Sequence, residues 1–400
     1  MRATMQRLPA IILASMLAGA CVATPPPVVQ PADARTNALA CRSASVTIAF
    51  DFEGASQSRC TIEDERAFSI LVSPEHAPPI NPSAWYAFRY EAAPGPDVAI
   101  TLRYLDSEHR YRPKREVGGE WQLLETEVAE DDRSARFTLP PGAGVVAGQE
   151  IYAGVRYAAL IERLDRSNQT RRVVLGRSHE GRPIDALEIG DASAPNVVVL
   201  LGRAHPPEVT GALAMEAFLV RLVELVEAGS LEGRGIRFLA VPSLNPDGVA
   251  RGHWRANLGA TDLNRDWGRF AQPETRSVKS WLDSLPTNHR PIALVDFHST
   301  QRDVFYTIPP ELPTVPAQFT ERWLDAIGAR VPEFEVRRSP GHTSGSGVAK
   351  NWFYETYSIP AVTFEIGDET DRDLIAKVAR AAAEAMIERL VEADLTVPGE

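Results

Sequence analysis

The stretch Val197-Val198-Val199-Leu200-Leu201-Gly202-Arg203-Ala204-His205-Pro206-Pro207-Glu208 runs five apolar residues into a polar turn that carries an imidazole and a carboxylate. A strand that is apolar on both faces is one covered on both faces, as in a parallel sheet with helices on either side. Helical periodicity follows over residues 210–227, and the alternation then continues. Strands are predicted at 236–241, 292–297 and 361–366, and helices at 273–285, 317–330 and 372–391. This order predicts an α/β fold with a mixed, mostly parallel sheet flanked by helices. Ligands in open α/β sheets bind beyond the carboxyl ends of the strands. Those ends are residues 202–208, 242–247, 296–300 and 365–368.

Upstream the pattern differs. Residues 45–52, 85–90, 98–104 and 135–139 alternate apolar and polar, and Pro- and Gly-rich turns separate them. Strand-like character through about residue 160 predicts an antiparallel β-sandwich ahead of the α/β domain. With 44% hydrophobic and 24% charged residues the chain reads as globular rather than disordered or multiply membrane-spanning. A net charge of -11 and the lack of any basic block argue against a nucleic-acid partner. At the start, Arg2 and Arg7, an apolar run over 8–17 and the small residues Ala18-Gly19-Ala20 describe an export signal. Leu17-Ala18-Gly19-Ala20-Cys21 resembles a bacterial lipobox, which would put a lipid anchor on Cys21; ordinary cleavage after Ala20 is the alternative. Cys41 and Cys60 are then free to pair in an oxidising compartment. The expected organisation is a signal peptide (1–20), a Pro-rich tether (21–40), a β-sandwich domain (41–163) and a catalytic domain (164–400).

The chemistry gathers at the strand ends. His205 and Glu208 can hold zinc if a third ligand arrives from elsewhere. Alone the signal is weak: 8 histidines and 53 acids yield about one HxxE by chance, and a histidine capping a helix is then the plainer explanation. His298 closes another buried strand, in Val295-Asp296-Phe297-His298-Ser299, with Asp296 on the same face to orient it. Glu365 closes a third, among apolar neighbours where a carboxylate is costly without a task. A buried histidine and a structural ion pair account for each separately. Three such residues at three strand ends point to one site.

From about Gly176 to the C-terminus the chain resembles the zinc carboxypeptidases, the metallocarboxypeptidases of the M14 type. His205 and Glu208 match the family's zinc pair and His298 its third ligand. Asn245-Pro246-Asp247-Gly248 matches a recurrent family turn, and Arg255 matches the arginine that polarises the scissile carbonyl. Asn264 and Arg265 match the pair that holds the substrate's terminal carboxylate, with Asp262 behind the first zinc histidine, and Glu365 falls on the catalytic glutamate. The sandwich and the sequence Arg203-Ala204-His205-Pro206-Pro207-Glu208 are similar to the cytosolic carboxypeptidase branch. The resemblance implies Zn2+ as cofactor and the C-termini of peptides or proteins as substrate.

Three departures stand out. Counted from Trp352, Lys350 falls at the base of the specificity pocket, which implies a preference for C-terminal Glu or Asp. Thr343 falls where pancreatic relatives carry a substrate-contacting tyrosine, so that phenol is missing or is supplied by Tyr354 or Tyr357. Pro206-Pro207 replaces the arginine that the family places between its two zinc ligands. Two further readings fit the same residues: an amidase or carboxypeptidase acting on cell-wall muropeptides, and a binding lipoprotein on an inactive scaffold.

Overall fold

The computed structural model describes residues 40–393 and 395. The signal segment, Cys21 and nearly all of the Pro-rich tether lie outside the described residues. Among those described, no helix is long and apolar enough to cross a membrane.

Val197 to Leu201 are fully buried and form the strand Asn196–Gly202 at the middle of an eight-stranded sheet. Ile236–Val241 and Arg290–Thr300 flank it in parallel, and Ala361–Gly367 adds in parallel beyond the latter. Removing each such aliphatic side chain from water is worth about 1.5–3 kcal/mol, so continuous apolar strands drive helices onto both faces. One face is covered by Val209–Glu227, Phe319–Arg330 and Arg372–Glu392, through Phe218, Trp323 and Ala382 among others. The other is covered by Pro273–Asp283 and Ala349–Tyr357, through Val278 and Phe353. The sheet is mixed because its edges reverse. Pro183–Ile189 and Val304–Thr307 join antiparallel on opposite sides of the parallel block.

The sandwich consists of a six-stranded and a five-stranded sheet that share one core. Ile48, Phe88 and Tyr90 come from one sheet and Phe68, Ile100 and Phe137 from the other. All pairings are antiparallel except one: Ala67–Val72 runs parallel to Val98–Tyr104. Cys41 and Cys60 form a disulfide. The sandwich and the α/β region fall within one compact unit.

The strand-like reading fails at its end. Gly154–Leu164 is a helix, and its Leu160, Ile161 and Leu164 pack into the core of the α/β region. The helix has no capping side chain and no acid in its first turn, so its start carries none of the usual sequence signals.

Candidate active site

Three strands of the parallel block deliver functional groups to the same end of the sheet. The turn after Asn196–Gly202 presents His205 and Glu208, and Val209–Glu227 starts immediately afterwards. Arg203 braces this turn from beneath. Its residue takes a positive φ of 54°, its Nε donates to the Pro206 carbonyl at 2.7 Å, and its Nη1 donates to the Tyr157 hydroxyl at 3.1 Å. His298 lies near the end of Arg290–Thr300 and faces Glu365 of Ala361–Gly367 directly across the parallel ladder. Gly211 lets the first turn of the neighbouring helix approach this strand. A Cβ there would sit 2.4 Å from the His298 carbonyl oxygen.

His205 Nδ1 and His298 Nδ1 each lie 2.7 Å from a different oxygen of Glu208. The opposite ring nitrogens are held by Asp262 and Asp296, both at 2.9 Å, so each imidazole is fixed by a carboxylate behind it. One ligand atom from each of His205, Glu208 and His298 lies within 4.8 Å of the other two. Burial disfavours a charged His298, but Asp296 and Glu208 outweigh it and hold the pKa well above the ordinary range. Burial opposes ionisation of Glu208 too, yet the two imidazoles pull its pKa well below the usual carboxylate value. Two nitrogens and a carboxylate are a zinc donor set. The fit is supported by Glu365, whose Oε2 is enclosed without a hydrogen-bond partner. Burial first, then the charge of Glu208, raises the Glu365 pKa.

These groups open into a cleft of about 490 Å³ that Arg255, Asn264, Arg265 and Lys350 also line. All eight residues singled out in the sequence therefore come together. Arg255 Nε donates to Asp262 Oδ2 at 2.6 Å, which ties it through one carboxylate to His205. The Asn264 Oδ1 accepts from the Ala349 backbone N–H at 2.8 Å, so its oxygen is committed and its amide nitrogen remains as a donor. The Arg265 Nη1 donates to the Asn264 carbonyl at 2.6 Å. Lys350 is 5% exposed, and its ammonium donates to the carbonyls of Thr307, at 3.2 Å, and Gly341. Burial lowers its pKa to about 8.

Tyr354 packs against the His342 ring and Tyr357 against Trp352, and neither lines the cleft. Tyr306 of Val304–Thr307 does line it, as does Thr343. Sequence reasoning also missed Arg110, a sandwich residue that reaches the cleft and grips Asp368 with two bonds, at 2.8 and 3.1 Å. Nothing in local spacing signals either residue, because strand pairing places Tyr306 and domain packing places Arg110.

The family profile described as zinc carboxypeptidase, peptidase M14, matches residues 157–388, more than half of the chain. The chain belongs to the zinc carboxypeptidase family. A metallo-carboxypeptidase from Burkholderia cenocepacia has the same fold, with a TM-score of 0.74 at 18% identity over 86% of this chain and 99% of that one. An uncharacterized protein of Zymomonas mobilis is 26% identical over 68% of this chain and 72% of its own length. Cytosolic carboxypeptidase 2 of Danio rerio is 30% identical over 32% of this chain, and the match spans 19% of that protein. Zn2+ is the family's metal, and His205, Glu208 and His298 are where this chain would hold it.

Proposed function

We propose that this metallocarboxypeptidase is exported and removes single C-terminal residues, with a preference for Glu or Asp. The observation that carries the reading is one cleft lined by a zinc donor set, an enclosed carboxylate and a buried lysine with no acidic partner among the described residues. A zinc ion bound there supplies Lewis acidity toward the scissile carbonyl and acidifies a nearby water. Glu365, with its raised pKa, takes the proton from the attacking water and delivers it to the departing amine. Arg255 stabilises negative charge developing on the carbonyl oxygen. The Asn264 amide nitrogen and the Arg265 guanidinium hold the terminal carboxylate, a planar anion that suits the forked donors of arginine. Lys350 receives the side-chain carboxylate of the terminal residue.

Export rests on the N-terminal sequence, and the Cys41–Cys60 disulfide supports it, because such bonds persist in oxidising compartments. The proposed location is periplasmic or, through a lipid on Cys21, anchored to the outer membrane. Cys21→Ser should move the protein from the membrane fraction to the soluble one; equal solubility of wild type and variant removes the anchor and leaves the peptidase reading intact.

The test of the reaction is a panel of peptides differing only in the last residue, with and without a chelator, run beside isolated muropeptides. Release of C-terminal Glu or Asp ahead of Gln and Lys, abolished by chelation, is the expected result. Faster turnover of muropeptides redirects the substrate assignment to the cell wall. Binding without turnover of anything in the panel marks an inactive scaffold.

A further inference from the structure

Arg255 sits in the α/β region of the sequence, yet the segment around it is docked into the sandwich. Its neighbours Trp254 and Ala256 are buried in the sandwich core, not in either core of the α/β region. Three consecutive backbone N–H groups, of Trp254, Arg255 and Ala256, donate to one sandwich carboxylate, that of Glu75, at 2.7, 2.9 and 2.7 Å. Just upstream, Gly54 N–H donates to the Ala250 carbonyl at 3.0 Å and the Gln57 amide to the Arg251 carbonyl at 2.5 Å. Gly252, at φ +59°, lies so close to the sandwich backbone that a Cβ would fall 1.9 Å from the Ala55 oxygen. Arg110, also from the sandwich, stacks over the Trp254 ring at 5.5 Å.

We infer that Glu75 is a positioning residue for catalysis. It fixes the backbone from which Arg255 reaches the cleft, so the N-terminal sandwich sets the geometry of transition-state stabilisation. The inference rests on the reading of Arg255 as the group that stabilises the developing oxyanion. Three consecutive backbone N–H groups outside any helix or strand ladder need acceptors, and a carboxylate supplies acceptors only. One oxygen takes the Arg255 and Ala256 donors and the other takes the Trp254 donor, so both are used. Glutamine at position 75 keeps the shape but turns an amide N–H2 against at least one of these donors. The segment must then shift, and the guanidinium shifts with it. Among the described residues the Arg255 side chain is otherwise tied to Asp262, whose other oxygen backs His205, so the displacement acts on transition-state charge rather than on the Lys350 side of the cleft.

The experiment is a double-mutant cycle on the full-length, zinc-loaded enzyme, with thermal unfolding and zinc content recorded for every variant. E75Q should keep both near wild type, leave KM within about twofold, and lower kcat by on the order of 10- to 100-fold, the scale of a misplaced or missing oxyanion donor. In an R255A background the same substitution should change kcat by less than about twofold, because Glu75 then has nothing to position. If E75Q does not fold, E75D takes its place in the cycle, keeping the charge while withdrawing it by one methylene. Wild-type kcat in a folded Glu75 variant overturns the inference, as does an equal loss in both backgrounds. Wild-type kcat in R255A overturns the reading of Arg255 itself and removes the inference with it, an outcome distinct from failure of Glu75 alone.

Discussion

At the strand ends Glu208 lies between two imidazoles, each backed by a further carboxylate, while Glu365 stands alongside without a partner. At Lys350 an ammonium is buried among backbone carbonyls, and among the described residues no carboxylate lies within ion-pair distance of it. In the first region four carboxylates, of Glu208, Glu365, Asp262 and Asp296, gather around two imidazoles; the second carries a lone positive charge. Buried charges without compensation are costly, so each region is incomplete in the opposite sense. The floor needs a cation and the wall needs an anion. Because the two are built on different elements, they should fail separately.

The largest effect should come from breaking the floor. His205→Ala should lose zinc and reduce hydrolysis to background, while binding of a C-terminal glutamate analogue, measured by calorimetry, should persist through Lys350. Loss of both together would mean that the two regions are not independent. Glu365→Gln should retain zinc, by elemental analysis, and lower kcat by about 10²–10⁴-fold, the usual reach of a general acid–base. Wild-type turnover in that variant would remove Glu365 from the reaction.

Breaking the wall should be milder and selective. Lys350→Met should reduce the ratio of kcat/KM on Glu-ending over Gln-ending peptides by about 30-fold or more with zinc unchanged, as expected for truncating one partner of a buried charged pair. Lys350→Glu should shift the preference toward Lys and Arg. Equal rates of wild type on Glu and Gln would mean that the ammonium does not meet the substrate.

The smallest effect is one of pH. Burial depresses the Lys350 pKa to about 8, so the charge is present below that pH and is lost as pH rises through it. The Glu-over-Gln ratio in kcat/KM should therefore fall as pH rises through about 8. Zinc and Glu365 act on both peptides alike and cancel in the ratio. A ratio flat across that range would break the link between the lysine charge and selectivity.

How much of this was legible in the sequence follows the same division. The floor is set by strands whose apolar runs announce themselves, and His298 and Glu365 were recognisable because they end such runs. Lys350 was reachable by counting along one helix from Trp352. What stayed hidden depends on long-range docking or on weak local signals. Glu75 meets a segment about 180 residues later, and no spacing encodes that contact. Tyr306 enters the cleft from a short strand, whereas counting along the chain pointed to Thr343, with Tyr354 and Tyr357 named only as substitutes. The strand Thr170–Arg177 was missed because it is largely exposed and rich in arginine.

The direct pairing of His298 with Glu365 across the ladder also governs which changes of length the chain can accept. In a β-strand, slipping by one residue turns every side chain to the opposite face. An inserted residue in Ala361–Gly367 ahead of Phe364 would drive the Glu365 carboxylate to the other face and bring Phe364 into its place. Lengthening the loop between Arg338–Pro340 and Ala349–Tyr357 would leave the pairing of His298 with Glu365 untouched. Across diverging copies of this gene, insertions should therefore collect in such loops and be absent from the two strands that carry His298 and Glu365.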